Sequence, residues 1–330
     1  MTSACASVQE GSAHLIFLLA EVFRLFRYTL FLIVSLLSTH SQAFGLKDCQ
    51  LDATKQQASI AEHLYGGAPE DAVISPRHGF VLNYNAQLHV PHWVAWHAVA
   101  AYRDTPQRKS RWSTFRTDPE FGDVKTSDYT GWYDSAFNFA RGHLVPFYIS
   151  GGDRDQDGMD AEFEDSLKVE DPDDACTVYE INALSNITPQ YHSRFNGEQG
   201  LWYQLETAVR ELIDDGNEFY LYAGTVFIPG ADIMKIGNRK EAPEQWQIGV
   251  PHGFFKVVIN PQRQQAVAFL FDHSGDLADG CSLNAQLGDC IVSFEALERA
   301  TGLSFFPDLS ERDRQNLESQ STEAVWNSWQ

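Results

Sequence analysis

The tripeptide Arg141-Gly142-His143 combines residue types for proton transfer and for anion binding. Near neutral pH, His143 can take a proton from water and Arg141 can bind an anion. Gly142 lets the backbone bend between them because it has no Cβ atom. Three residues alone are a weak signal, so a surface turn with an incidental histidine is the alternative interpretation.

A second polar segment, residues 185–190 (SNITPQ), lies further along the chain. Asn and Pro extend a helix poorly, so this segment is predicted to be a loop that carries polar amides. Asn186 and Gln190 are therefore candidates for contact with a substrate.

A predicted helix follows, and it brings two charged side chains together beside a loop that contains Asn196. Its apolar residues recur at helical spacing, with Gly216 just beyond the last of them: Leu201, Leu205, Val209, Leu212 and Ile213. Glu206 and Arg210 are four residues apart and share one face of this helix. A routine ion pair on a solvated face is the alternative.

Residues 153–174 are strongly acidic, with 11 Asp+Glu and 2 Lys+Arg, a local net charge of −9. The segment matches the calcium-loop spacing D-x-D-x-D-G-x5-E, with Gly158 at the sharp turn. The expected Ca²⁺ ligands are the carboxylates of Asp153, Asp155, Asp157 and Glu164 and the backbone carbonyl of Met159. A solvated acidic loop without a metal ion is the alternative.

The predicted elements indicate a mixed fold. Strand-like runs rich in β-branched or aromatic residues occur at 80–84, 93–97, 219–227, 254–259 and 266–271. A second helix is predicted from Phe294, Leu297 and Ala300, with Gly302 as its cap. No linker divides the chain after residue 43, so we expect one α+β domain over residues 44–310 and a polar tail over 311–330.

The first 43 residues resemble a cleavable export signal. Arg24 and Arg27 precede an apolar run, residues 28–37, which is too short to span a bilayer. Ser41 and Ala43 suit the small-residue rule for signal peptidase. We therefore expect a secreted or periplasmic protein, with a retained membrane anchor as the alternative.

Cysteine usage agrees with export. Removal of the leader leaves four cysteines, an even set that fits disulfides in an oxidising compartment. Four cysteines allow three pairings. Cys281 with Cys290 is the easiest pair because a short loop joins them, and Cys49 would then pair with Cys176.

Several ordered motifs together resemble one known family. The segments at 141–146, 185–190 and 196–206 are similar to the RGHxxP, SNxxPQ and N…WxxLE motifs of the DNA/RNA non-specific endonucleases. Further blocks of this family resemble residues 93–97, 117–119 and 128–131, and also residues 250–257 and 301–303. The resemblance covers roughly residues 60–310.

The resemblance implies a central antiparallel sheet flanked by helices, with a ββα-metal active site. By position, His143 would be the general base and Asn196 the one direct protein ligand of a hydrated Mg²⁺. Glu206 would orient metal-bound water, and Arg141 and Arg210 would stabilise charge on the phosphate. The products would carry 5′-phosphates, and cleavage would show little sequence preference.

The chain departs from the family pattern at three places. The family usually has Asp before the RGH motif, where this chain has Ala140. Five residues separate Asn196 from Trp202, where the family usually has three. A further phosphate-binding arginine is expected upstream, and either Arg111 or Arg116 fits, with Arg111 preferred.

Composition limits the possible functions. The chain has 330 residues and is 43% hydrophobic, which excludes a disordered protein. Its net charge is −21, from 24 Lys+Arg and 45 Asp+Glu, which first argues against contact with phosphate. Because −9 of this charge belongs to residues 153–174, a local cleft around Arg141 and Arg210 remains compatible with nucleic acid.

The sequence thus predicts an exported endonuclease with DNA and RNA as substrates and no membrane association after leader cleavage. Mg²⁺ is the expected cofactor, with Mn²⁺ as a substitute and Ca²⁺ as a structural ion. One alternative is a catalytically weakened nucleic-acid-binding homologue, motivated by Ala140 and the altered Asn196–Trp202 spacing. The other is a calcium-binding surface or interaction protein. A homodimer and a monomer both remain open.

Overall fold

The computed structural model describes residues 44–159, 169 and 171–330. The expected leader, residues 1–43, and Glu164 of the acidic segment lie outside the described residues. Residues 44–330 belong to one compact unit. None of the helices described in this structure is long and apolar enough to cross a membrane.

A large sheet forms the centre of the unit, with the strand order β1-β2-β3-β6-β9-β10-β11 and with β12 also paired to β10. Its strands are β1 (Ser75–Pro76), β2 (Val81–Asn85), β3 (Val90–Ala98), β6 (Phe219–Val226), β9 (Gly253–Asn260), β10 (Gln265–Asp272), β11 (Cys281–Ser282) and β12 (Ile291–Val292). All pairs are antiparallel except β10 with β11. The expected strand-like runs therefore lie in β2, β3, β6, β9 and β10, and the α+β fold is confirmed.

The two faces of this sheet bury separate cores. On β3, Val94 and Trp96 face the larger core, whereas Trp93 and Ala95 face the smaller one. This alternation follows from the two-residue period of a strand. The central strand β9 is buried at every position because helices or loops cover both faces.

Seven α-helices occur in the described residues: α1 (Ala53–His63), α2 (Phe147–Ser150), α3 (Pro172–Ile181), α4 (Leu201–Asp214), α5 (Phe294–Thr301), α6 (Glu311–Glu318) and α7 (Thr322–Trp329). The apolar stripe predicted for α4 is buried in the larger core. Gly216 follows α4 with φ of 90°, and Gly302 ends α5 in the left-handed region with φ of 72°. Both glycines stop a helix as their positions predict.

Residues 311–330, expected as a polar tail, form α6 and α7. Trp326 and Trp329 of α7 are buried in the larger core. Their rings pack against Phe269 at 5.0 Å and Phe219 at 5.4 Å between centroids. The last twenty residues are therefore part of the domain in this structure.

A separate two-stranded ribbon pairs β4 (Phe139–His143) with β5 (Ile187–Tyr191). A turn at His192–Asn196 follows β5 and leads into α4. The order strand, strand, helix thus brings the three motif segments into one ββα unit. In another short pair, β7 (Lys235–Ile236) lies antiparallel to β8 (Ile248–Gly249).

Both expected disulfides are present. Cys49 and Cys176 have their Cα atoms 5.3 Å apart and connect the start of the described chain to α3. Cys281 and Cys290 have theirs 4.7 Å apart and close a short loop beside β10.

Candidate active site

His143 is the last residue of β4, where it pairs with Ile187 of β5. One residue earlier, Gly142 allows the side chain of Gln190 to lie directly against the strand, since a Cβ atom there would collide with it. Ala140, which replaces the expected Asp, pairs regularly with Gln190. The ribbon therefore forms without that Asp.

A buried amide determines which nitrogen of His143 carries the proton. Nδ2 of Asn182 donates to the carbonyl oxygens of Trp112 at 3.1 Å and Val178 at 3.0 Å, so its Oδ1 must face the histidine. Nε2 of His143 lies 3.1 Å from this Oδ1 and donates to it. Nδ1 therefore keeps its lone pair and can accept a proton.

The His143 imidazole is held neutral. Burial lowers the pKa of His143 to about 3, the positive charge of Arg108 acts in the same direction, and the hydrogen bond to Asn182 opposes them. At neutral pH the ring is consequently a proton acceptor.

Asn196 ends the turn between β5 and α4 and is partly buried. Its Nδ2 donates to Oε1 of Gln190 at 2.7 Å, which leaves its Oδ1 with no donor among the described residues. Gln190 itself is fully buried, and its Nε2 finds no described partner. A fixed amide oxygen without a protein donor suits a hard cation such as Mg²⁺.

Glu206, on α4, is nearly buried and pairs with a lysine from the central sheet. Nζ of Lys256 lies 3.4 Å from its Oε1. Burial raises the pKa of Glu206, whereas Lys256 and Arg210 act against that shift. The Arg210 guanidinium donates instead to Oγ1 of Thr207, at 2.6 Å. The ion-pair partner of Glu206 among the described residues is therefore Lys256 and not Arg210.

The aromatic ring of Phe115 packs against both Arg141 and His143. Arg141 is exposed, and its guanidinium carbon lies 4.7 Å from the ring centroid of Phe115. The same ring lies 5.4 Å from the His143 imidazole. Phe115 thus holds an exposed cation beside the proton acceptor.

Both arginines expected upstream contact the same aromatic side chain, Tyr179. Nη1 of Arg111 donates to the hydroxyl of Tyr179 at 3.0 Å, and the Arg116 guanidinium lies 4.1 Å from that ring's centroid. Arg108 is the arginine whose charge acts on His143. Desolvation lowers the pKa of Arg108, and among the groups that oppose this shift is Glu206. Arg108 therefore lies close enough to both His143 and Glu206 for their charges to interact.

Asn186 does not fit the expected role in substrate contact. It is fully buried, its Oδ1 accepts from the Val145 backbone amide, and its Nδ2 donates to the carbonyl oxygens of Val145 and Ile181. This amide fastens the end of β4 to the end of α3. Its described partners are all backbone atoms, which is typical of an amide that stabilises the fold.

The acidic loop brings three carboxylates together. Oxygen atoms of Asp153, Asp155 and Asp157 lie within 4.8 Å of one another. Between the first two, Arg154 points into the domain and donates to Oε1 of Glu62 at 2.7 Å. The loop is therefore anchored by one buried arginine while its carboxylates gather at the surface.

Of the other two expected calcium ligands, the structure describes one. Met159 is described and is 44% exposed, whereas Glu164 lies outside the described residues. Behind the loop, Asp174 is buried, and its Oδ1 accepts from the Arg154 backbone amide at 2.8 Å. Burial and the charges of nearby carboxylates raise the pKa of Asp174 to about 7.

Sequence reasoning missed three residues of this site: Asn182, Arg108 and Lys256. Asn182 has a weak signal, since it lies three residues before the SNxxPQ motif. Lys256 lies between apolar residues in the middle of a buried strand, where a lysine is unusual. Arg108 has no distinguishing pattern, because other basic residues surround it.

Comparison with known proteins identifies the family. The sequence model of the DNA/RNA non-specific endonucleases matches residues 61–166 and 174–312. The chain is 27% identical to "Nuclease" of Serratia marcescens over 261 residues, which cover 77% of this chain and 82% of that protein. It is 25% identical to "Nuclease EXOG, mitochondrial" of Danio rerio over 255 residues, covering 76% and 66%.

A solved structure shows the same fold. The structure described as the EndoG/EndoGI complex, with the mechanism of EndoG inhibition, matches with a TM-score of 0.57 at 20% identity. The match covers 81% of this chain and 96% of that one. With the family model spanning most of the folded unit, this chain belongs to the DNA/RNA non-specific endonuclease family.

Proposed function

We propose that this protein is an exported endonuclease that hydrolyses phosphodiester bonds in DNA and RNA, with His143 as general base and one hydrated Mg²⁺. The observation that carries the proposal is the hydrogen bond from Nε2 of His143 to Asn182. It directs the proton to one ring nitrogen and leaves the other free. A neutral imidazole with a fixed free nitrogen can take a proton from an attacking water.

The surrounding cations are arranged for an anionic substrate. Arg141 is exposed beside His143, and Arg108 lies near both His143 and Glu206. These guanidiniums can bind phosphate oxygens and stabilise the charge that develops during attack at phosphorus. No base-reading element is needed for this recognition, so little sequence preference is expected.

The residues present fit a divalent ion. Asn196 would hold Mg²⁺ through its Oδ1, because its Nδ2 is already committed to Gln190. Glu206 would accept hydrogen bonds from water beside this ligand. When bound, Mg²⁺ supplies Lewis-acid stabilisation of the leaving 3′ oxygen, so the products would carry 5′-phosphates.

The test of this proposal uses plasmid DNA and structured RNA with the purified mature protein. Cleavage of both polymers with Mg²⁺ or Mn²⁺, its loss in EDTA, and 5′-phosphate ends are the expected results. In Asn196→Ala, the Mg²⁺ concentration for half-maximal rate should rise tenfold or more, whereas Asn186→Ala should chiefly lower thermal stability. DNA binding without cleavage in any divalent ion would favour a binding homologue instead.

Export rests on the leader pattern and is supported by the two disulfides. Such bonds persist in oxidising compartments. Expression of the full chain in a bacterial host, with N-terminal sequencing of protein from the periplasm and medium, should give a mature start at residue 44. An uncleaved, membrane-bound product would contradict this part of the proposal.

The acidic loop supports a second, structural proposal: that Asp153, Asp155 and Asp157 bind Ca²⁺. The clustering of their oxygens within 4.8 Å is the observation behind it. Carboxylate oxygens at this spacing can share one Ca²⁺.

A further inference from the structure

Lys256 is a charged residue at the centre of the molecule. It lies in the middle of β9, paired with Ala223 of β6 and Phe269 of β10, and its exposure is 0%. A buried ammonium group is costly unless other groups compensate its charge. Its surroundings therefore indicate what the lysine does.

Three side chains contact the Lys256 ammonium group. Nζ lies 3.4 Å from Oε1 of Glu206, 3.8 Å from the Trp202 ring centroid and 5.7 Å from that of Trp96. Trp202 precedes Glu206 by one turn on α4, so both project from the same helix face. The ammonium is thus confined between one carboxylate and two aromatic faces.

Stability alone does not explain this arrangement. Replacing a buried ion pair by apolar side chains of similar volume is often neutral or stabilising. The neighbours of Lys256 in β9 are apolar, and an apolar residue would continue the same core. The lysine instead delivers a fixed charge to one residue of the candidate active site.

We propose that Lys256 is a positioning residue for the nuclease reaction, which holds the Glu206 carboxylate in one orientation. The inference rests on the proposed function, in that it assumes the role of Glu206 there. Lys256 does not touch the substrate, because it is fully buried beneath α4.

The charges around Glu206 give the direction of the effect. Lys256 faces it from β9, Arg210 from its own helix, and Arg108 from the upstream loop. Burial raises the pKa of Glu206, and loss of the lysine charge would raise it further. Without Lys256, the Glu206 carboxylate would also lose its one described ion-pair partner.

The test compares Lys256→Met with the full-length wild-type protein. We expect kcat at pH 7 to fall tenfold or more, KM for DNA to change less than threefold, and the acid limb of the pH–rate profile to move to higher pH. The Mg²⁺ affinity, measured by calorimetry without substrate, should weaken about tenfold, as for other groups that orient metal-bound water. If Lys256→Met folds poorly, Lys256→Gln replaces it, because this variant keeps a hydrogen-bond donor but no charge. We expect the same changes in kcat, in the pH–rate profile and in Mg²⁺ affinity.

A second background separates positioning from packing. In Glu206→Gln, the additional Lys256→Met change should cause no further loss of kcat. Lys55→Met, which removes an exposed lysine paired with Asp173, is the matched control and should leave all readouts unchanged.

Equal losses from Lys256→Met in both backgrounds, with an unshifted pH profile and unchanged Mg²⁺ affinity, would show a packing role and overturn the inference. Full activity in Glu206→Gln would overturn it as well, while leaving the nuclease function intact. A wild-type protein without Mg²⁺-dependent cleavage would instead contradict the proposed function, and the calorimetric comparison would still decide the role of Lys256.

Discussion

Two regions of this molecule are candidates for cation binding, and their charges are arranged in opposite ways. Around His143, arginines and a lysine surround a single nearly buried carboxylate, Glu206. In the acidic loop, the carboxylates of Asp153, Asp155 and Asp157 lie together, with oxygen atoms within 4.8 Å of one another. The first region attracts an anion and needs few metal ligands from the protein, whereas the second can only attract a cation. The net charge of −21 therefore says little about substrate choice.

The two regions also differ in how they are held. Asn182 and Asn186 are fully buried beside the β4–β5 ribbon, where Asn182 accepts from His143 and Asn186 bonds to the backbone of Val145. The loop depends mainly on Arg154, which reaches Glu62 and packs its guanidinium 3.5 Å from the Tyr102 ring centroid. A site assembled from buried amides is preorganised, whereas exposed carboxylates need a bound ion to offset their mutual repulsion.

The largest expected effect distinguishes catalysis from structure. His143→Ala should lower kcat/KM for DNA and RNA by about 10²–10⁴-fold, because it removes the proton acceptor. Asp157→Ala, the matched change in the loop, should leave the rate within about threefold at 25 °C. Initial rates on a supercoiled plasmid measure both. A loss of similar size in Asp157→Ala would mean that the loop takes part in the reaction.

A smaller effect should come from the residue that orients the base. Asn182→Ala removes the acceptor for Nε2 of His143 and leaves a buried donor unsatisfied, at a cost of about 1–3 kcal/mol. We expect kcat to fall about 5–150-fold, since 1.4 kcal/mol corresponds to tenfold. The kcat of the variant is compared with its free energy of unfolding in urea. Wild-type kcat in a destabilised variant would show that the hydrogen bond serves the fold alone.

The residues of the candidate site show which features can be predicted from the sequence and which cannot. His143 and Asn196 follow from ordered motifs, and the α4 stripe from its 3.6-residue period, because both signals are local. Asn182 and Lys256 act through contacts between segments far apart in the chain, so no local pattern reveals them. The burial of α7 was not predicted, because its two tryptophans follow a polar stretch and contact strands distant in sequence.

Calcium should affect the loop and not the catalytic region. At ten times its dissociation constant, one Ca²⁺ would stabilise the folded protein by about 1.4 kcal/mol, which thermal unfolding at pH 7.5 can detect. Asp155→Ala should abolish this increase in melting temperature, whereas Asn196→Ala should preserve it. An equal Ca²⁺ response in wild-type protein and Asp155→Ala would leave the loop as ordinary acidic surface.

The last comparison concerns the pH dependence of stability, in which the two regions should act in opposite directions. The pKa of His143 is lowered to about 3, so its contribution to stability is lost as the pH falls from 6.5 towards 3. The pKa of Asp174 is raised to about 7 by burial and by neighbouring carboxylates, so its contribution is lost as the pH rises from about 4 to 7.

The variant Asp174→Asn removes the contribution of Asp174 to the pH dependence of stability and leaves that of His143. The amide oxygen can still accept from the Arg154 backbone amide, but the side chain can no longer ionise. Relative to wild type, the variant should gain stability between pH 4 and 7 by up to about 1.4 kcal/mol per pH unit, and keep that gain above pH 7. Urea unfolding at several pH values, with a constant m-value, measures the difference. Saturating Ca²⁺ should reduce this gain, because a bound cation would stabilise the ionised Asp174 of the wild type. If the free energies of unfolding of the two proteins changed with pH in parallel, the ionisation of Asp174 would not be the cause of the pH dependence.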